Sequence, residues 1–237
     1  MSTFQRHLTL AAGFALAFAG TAAHAATPPQ AFTATYQVLS DGNPIGQATI
    51  SLKPVGNGDY AYSNEMKGTS GFAAMIGASS SEASRFRWSH DAAEALTYDY
   101  RMDTAFKQIH RHMQVDWNRH TVQVTENRRH FRYAPAPGMV DRNILPLAIG
   151  LALQDGGRSV SLPVGVRQRV ERQTYQVKGN AAVQVPAGHF QAERVERSDS
   201  SNAFAAWYVP SKYPMPVKLA QKGGGDLTLQ LVSFRRP

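Results

Sequence analysis

The sequence predicts a mainly β protein: a strongly curved antiparallel sheet, a half-barrel or open barrel, enclosing one central apolar helix. Three observations carry this prediction. Apolar and polar residues alternate along most of the chain, as they do in half-buried strands. Turn-forming pairs such as Asp41-Gly42 and Asn57-Gly58 separate the alternating runs. One stretch, Asp141 to Leu153, instead has helical spacing. There Ile144, Leu145, Leu147, Ala148, Ile149, Leu151, Ala152 and Leu153 cover an arc of roughly 240°, wider than a surface helix needs. A helix at about residues 141–154 is therefore expected inside the concave face of the sheet. Asp141 is its N-cap candidate, and if Asp141 caps, Pro146 falls inside the helix and kinks it.

Residues 1–25 read as an export signal. Arg6 and His7 form a basic start, Leu8 to Ala19 is an apolar run too short to span a membrane, and Ala23-His24-Ala25 has the cleavage pattern. Of the 237 residues, 212 remain once the first 25 are removed, enough for a single β-rich domain over residues 26–237. No second apolar run of spanning length follows, so no transmembrane segment is expected in the mature chain, and the expected location is periplasmic or secreted. There is no cysteine, which excludes disulfide staples and a lipidated cysteine. Loss of Arg6 lowers the net charge from +8 to +7. For an exported chain the counterparts of that charge are anionic lipid head groups, lipopolysaccharide or acidic glycans rather than nucleic acid. A soluble surface that is simply basic is the plainer explanation.

Phe32, Ala34, Tyr36 and Val38 alternate with polar residues as the first strand. Asp41-Gly42-Asn43-Pro44 turns the chain, Ile45 to Lys53 returns it, and Tyr60, Tyr62, Asn64 and Met66 continue the meander after Gly56-Asn57-Gly58. Gly68 to Ser81 breaks the alternation around the apolar patch Phe72 to Ile76, which suits a short helix, a flap over a cavity, or packing on the sheet edge. Arg85 to Trp88, Leu96 to Met102, Phe106 to Trp117 and His120 to Asn127 are further strands. A two-residue hairpin at Asn118-Arg119 makes cross-strand positions sum to 237, so Val115 faces Val122, Met113 faces Val124 and Arg111 faces Glu126. One face then carries Ile109, Met113, Val115, Trp117, Val122 and Val124 towards the core. The other carries Gln108, His110, His112, Gln114, Asp116, Thr121, Gln123 and Thr125 towards water.

Arg128 to Tyr133 and a Pro-Gly stretch lead into the helix, which Asp155-Gly156-Gly157 ends. Seven strands follow: Ser159 to Leu162, Arg167 to Lys178, Ala181 to Val185, Phe190 to Arg197, Phe204 to Val209, Pro216 to Lys222 and Leu227 to Phe234. Their turns are Gly179-Asn180, Pro186-Ala187-Gly188 and Gly223-Gly224-Gly225. The halves show no internal repeat.

The chemistry-bearing residues are few. His110 and His112 share a strand face, but the register puts Asn127 and Thr125 opposite them, and solvated histidines explain them better than a metal site. Arg85/Arg87, Arg128/Arg129/Arg132 and Arg167/Arg169/Arg172 sit mainly at alternating positions, able to grip a phosphate or carboxylate. Arg128, Arg129 and Arg132 are the anion-contact candidates, and a solvated edge is the plainer explanation of the same pattern. No nucleophile elbow, dinucleotide fingerprint, P-loop or His-Glu-x-x-His is present, and Glu193 and Glu196 lie on opposite strand faces. No cofactor is expected, and the sequence leans away from an enzyme.

Val185-Pro186-Ala187-Gly188-His189-Phe190, Ala206-Trp207-Tyr208-Val209-Pro210 and Met215-Pro216-Val217-Lys218-Leu219 resemble an exported proteobacterial family known only as a domain of unknown function, DUF3108. The first half agrees in its Tyr36 strand, in Gly42 and Ile45-Gly46, and in an aspartate opening the helix after a Pro-Gly stretch. The resemblance implies a periplasmic half-barrel like that of the lipoprotein carriers, and brings no catalytic residues. Independently, a curved sheet closed by a helix and a flap forms a concave apolar pocket suited to an acyl chain. Phe72, Met75, Ile76, Trp88, Tyr98, Tyr100, Met113, Val115 and Trp117 are its candidate lining. The leading expectation is a non-enzymatic binding or carrier protein for a lipid or other apolar envelope component. The rival is a module that supports envelope assembly by pairing a sheet edge with a partner protein. The third is an enzyme acting on envelope glycan or lipid.

Overall fold

A computed structural model of the chain describes residues 28–75, 77–200, 204–221 and 226–237. The expected export segment and the glycine turn at 223–225 lie outside these described residues.

The first half is an antiparallel meander. Strands β1 (Phe32–Ser40) and β2 (Asn43–Gly56) are joined by Asp41 and Gly42, both at positive φ (49° and 80°). Such a turn matches the right-handed twist of the strands it joins. It is tighter than the four-residue turn expected, because Asn43 and Pro44 already pair with Ser40 and Leu39. Asn57 and Gly58 repeat the device before β3 (Asp59–Gly68). The short helix α1 (Gly71–Met75) occupies the break in alternation and leads to β4 (Ser79–Ser89). His90 and Asp91, again at positive φ, turn β4 into β5 (Ala92–Asp103), and β6 (Gln108–Asp116), β7 (Thr121–Glu126) and β8 (Arg129–Tyr133) follow. The β6–β7 register has the expected pairs Val115–Val122, Met113–Val124 and Arg111–Glu126. Met113, Val115, Val122 and Val124 are buried, and His110, His112, Gln114 and Gln123 are exposed. Thr121 departs from the expected polar face: it is buried, and its hydroxyl bonds the Arg119 carbonyl in the turn.

The second half begins with β9 (Val140–Asp141) and α2 (Leu145–Gln154). The helix starts four residues later than expected and is not kinked by Pro146. Pro146 sits in its first turn, where a missing N–H has no intrahelical partner to lose. Asp141 instead closes a turn before the helix, its Oδ1 accepting the N–H groups of Asn143 (2.8 Å) and Ile144 (3.0 Å). Gly156, at φ 85°, ends the helix as expected, with Gly157 N–H donating to the Ala152 carbonyl. Ile144, Leu147 and Ile149 are fully buried. Gly150 is demanded by packing: a Cβ there would lie 1.8 Å from the Pro214 carbonyl oxygen.

Strands β10 (Ser159–Gly165), β11 (Val170–Val185), β12 (Gly188–Arg197), β13 (Phe204–Tyr208), β14 (Lys218–Gln221) and β15 (Leu227–Arg235) complete the chain. The expected turn at Gly179-Asn180 is a bulge within β11, because both flanks stay paired with β12 while Lys178 is skipped. The turn lies earlier, at 166–169, across the expected start of a strand at Arg167.

The fifteen strands of the described residues join one sheet in the order β8-β7-β6-β5-β4-β3-β2-β1-β15-β14-β13-β12-β11-β10-β9. Every ladder is antiparallel except β9–β10, a parallel pair that needs a crossover, which α2 supplies. The sheet is not closed into a barrel. Its two ends nevertheless approach each other. The Tyr133 hydroxyl of the end strand β8 donates to the Val166 carbonyl, just after β10, at 2.6 Å, and further in, Ala95 N–H of β5 donates to the carbonyl of Met139, just before β9, at 2.8 Å.

Candidate functional site

Two cavities meet at the β9–α2 connection, whose Arg142 lines both. The outer one, about 640 Å³, is ringed by Arg111 of β6, Arg142 of the connection, Arg167 and Arg169 of the β10–β11 turn, and Arg197 at the end of β12. Glu82, Glu171, Gln173 and Tyr175 complete its polar wall, with Leu145, Pro146 and Phe204 on the apolar side. Four of these arginines have carboxylate partners. Arg111 and Arg167 both bond Glu126, Arg169 bonds Glu171, and Arg197 bonds Asp199 through two nitrogens at 3.1 and 3.0 Å. Burial works against ionisation of Glu126, but the hydrogen bonds from Arg167 and Arg111 outweigh it and hold its carboxyl below the usual range. The hydrogen bond from Arg197 likewise holds Asp199 down at about 2. Arg142 is the remaining member, and it makes no ion pair among the described residues while lining both cavities.

The inner cavity, about 130 Å³, shares Glu82, Arg142, Pro146 and Gln221 with the outer one. Its further walls are Tyr36, Tyr62, Asn64, Met66, Asn143, Met215 and Leu229. Tyr98 donates its hydroxyl to Glu82 at 2.7 Å. Burial pushes the Glu82 carboxyl above its usual range, against the opposing pull of Tyr98, Arg142 and Arg111. Beside it lies a buried polar knot. The Ser84 hydroxyl donates to Asp141 Oδ1, and Asn143 Nδ2 donates to Ser84 Oγ, each at 3.0 Å. Burial pushes Asp141 up to about 7 in spite of the three donors on Oδ1. Asp141 Oδ2, Asn143 Oδ1 and Asn64 Oδ1 are buried without a hydrogen-bond partner among the described residues.

The expected apolar lining is dispersed. Tyr98, Met113 and Val115 are core residues, and Trp88, Tyr100 and Trp117 pack partly buried against the core. Tyr98 and Met113 line a crevice of about 10 Å³ with Arg111 and Arg142, Tyr100 lines a shallow one on the outer face with His110 and His112, and none of the expected residues lines the outer or the inner cavity. Met75 is 74% exposed at the end of α1. Ile76 and the Phe72 side chain lie outside the described residues. Trp117 has a different task, donating its indole N–H to the Ala95 carbonyl at 3.0 Å. Arg128, Arg129 and Arg132 are exposed and form no shared grip. Arg128 is in the β7–β8 turn, and the odd spacing of Arg129 and Arg132 puts them on opposite faces of β8. The histidines stay on the wet face, with His112 Nδ1 bonded to Asp99 at 2.8 Å.

Sequence reading missed Arg111, Arg142, Arg197 and Glu82 as site residues. Arg111 did leave a signal, a cation interrupting the apolar run of Ile109, Met113 and Val115 opposite Glu126.

Fold and site together define an open, barrel-like β protein with an arginine-ringed cavity. The chain belongs to the family described as Protein of unknown function (DUF3108), which residues 31–231 match. Among solved structures, the chain is similar to a crystal structure described as a beta-barrel-like protein of domain of unknown function DUF1849 from Brucella abortus. That similarity has a TM-score of 0.54 at 8% identity, over 88% of this chain and 98% of that one, and shows the fold alone. No curated protein matches the sequence.

Proposed function

We propose that the chain is an exported, non-enzymatic binding or carrier protein for an envelope amphiphile with an anionic head group. The observation that supports this is the convergence of five arginines on one cavity of about 640 Å³, within the ~300–1,000 Å³ typical of small-ligand sites. The anion's place is beside Arg142. A phosphate or carboxylate there gains charge-assisted hydrogen bonds without displacing an existing ion pair. In this reading the sheet curves around α2, whose Leu147 and Ile149, with Ile144 just before the helix, fill the apolar interior that an acyl chain would otherwise take. The protein then holds the head group and leaves the chain towards the open mouth.

Calorimetric titration with dihexanoyl phosphatidic acid, compared with neutral dihexanoyl glycerol, tests this. The anionic probe is expected to bind and the neutral one not to. Arg142→Ala is expected to weaken binding roughly ten- to hundredfold, the worth of one hydrogen bond to a charged group at about 1.5–3 kcal/mol. Equal binding of the two probes, or unchanged affinity in Arg142→Ala, overturns the proposal.

A further inference from the structure

The inner cavity carries information about the other end of the ligand. Asn143 is only 5% exposed and lines this cavity. Its orientation is determined by its neighbours. Ser84 commits its proton to Asp141 Oδ1, so Ser84 Oγ accepts from Asn143 Nδ2, and Asn143 Oδ1 is left as an acceptor with no partner among the described residues. Asn64 Oδ1, on β3 across the same cavity, is a second such acceptor. The Glu82 carboxylate, which already takes the Tyr98 hydroxyl on Oε2, is a third acceptor group and lines both cavities. Buried acceptors without donors are costly, so the two asparagine oxygens call for a donor.

We infer that the inner cavity receives the ammonium end of a zwitterionic ligand whose anionic end lies among the outer arginines, an inference that rests on the anion-binding reading above. A primary ammonium has three donors and no acceptor, which matches Asn143, Asn64 and Glu82 in number and kind. It also supplies the counter-charge that a carboxylate drawn out of water requires. Arg142, lining both cavities, stands at the junction where the anionic group follows the ammonium. A volume of about 130 Å³ suits a two-carbon amine and not an acyl chain.

The test is calorimetry on the full chain with O-phosphoethanolamine, 2-hydroxyethyl phosphate and ethyl phosphate, which share one anion and differ only at the other end. Phosphoethanolamine is expected to bind at least tenfold more tightly than ethyl phosphate, with the hydroxyl compound between them. Asn64→Leu is expected to abolish that advantage. Glu82→Gln is the second variant, keeping the side-chain shape and removing the charge, and it is expected to reduce the advantage of the ammonium over the hydroxyl. Ethyl phosphate binding as tightly as phosphoethanolamine overturns the inference and leaves the anion site standing. Equal affinity for the hydroxyl and ammonium compounds overturns the assignment of a cation. Binding by none of the three overturns both readings together.

Discussion

The Ser84 hydroxyl donates to Asp141 Oδ1 at 3.0 Å, fastening β4 to the turn that opens α2. The same oxygen takes the Asn143 and Ile144 N–H groups, so Asp141 organises the helix entry from a fully buried position. Its pKa stands at about 7 because burial penalises the charge. From about 4, the usual aspartate value, up to about 7, the folded chain keeps a proton that the unfolded chain has released. Stability therefore falls as pH rises through that window and levels off above it. Asp141→Asn preserves the Oδ1 acceptor and removes the titration. Thermal melts at pH 5 and pH 8 are expected to show a markedly lower Tm for the native chain at pH 8, and a much smaller difference for the variant. Identical pH slopes in the two proteins would exclude Asp141 as the source.

Glu126 has the opposite sign. Hydrogen bonds from Arg167 and Arg111 hold its carboxyl below the usual range, so its contribution is present near neutral pH and is lost as pH falls through the lowered value. Glu126→Gln leaves Arg111, 15% exposed, without its carboxylate. The expected cost is roughly 1–3 kcal/mol, kept below the fully buried limit because Arg167 is well solvated. The variant should also bind phosphate more tightly, since two arginines lose a competing anion. A denaturant series checks the first outcome and calorimetry the second.

Gly150→Ala puts a methyl group 1.8 Å from the Pro214 carbonyl oxygen, a backbone atom that cannot rotate away. Elsewhere in a helix this change is stabilising by up to about 1 kcal/mol. Here overpacking reverses the sign and costs roughly 1–3 kcal/mol. A fall in Tm of several degrees is expected, and a rise would show that α2 can move away from the 214 segment.

Asp91 occupies the second position of the β4–β5 turn at φ 59°, where a side chain is strained and glycine is not. Asp91→Gly is expected to stabilise by about 0.5–1 kcal/mol, a gain of roughly 1–4 °C in Tm for a domain of this size. An unchanged or lower Tm would mean that the Asp91 side chain holds the turn.

Local periodicity and turn chemistry determined much of the fold. Period-2 alternation marked the strands, and the β6–β7 register followed from the turn, because a one-residue slip would turn Met113 and Val124 out to water. Asp155-Gly156-Gly157 ended α2 because a positive φ at Gly156 is a local requirement. Family membership was legible in the strand and turn residues of the second half. The tertiary structure alone decided what long-range hydrogen bonding and packing control. The pairing of β15 with β1 and the parallel β9–β10 pair have no local signature. The bulge at Lys178 replaced the turn expected from Gly179-Asn180, because pairing with β12 continues on both sides. The candidate site is the clearest case. Arg111, Arg142, Arg167, Arg169 and Arg197 lie on four separate segments, and only the curvature of the sheet brings them to one cavity. Alternation reports which face a side chain takes, but not which distant face it will meet.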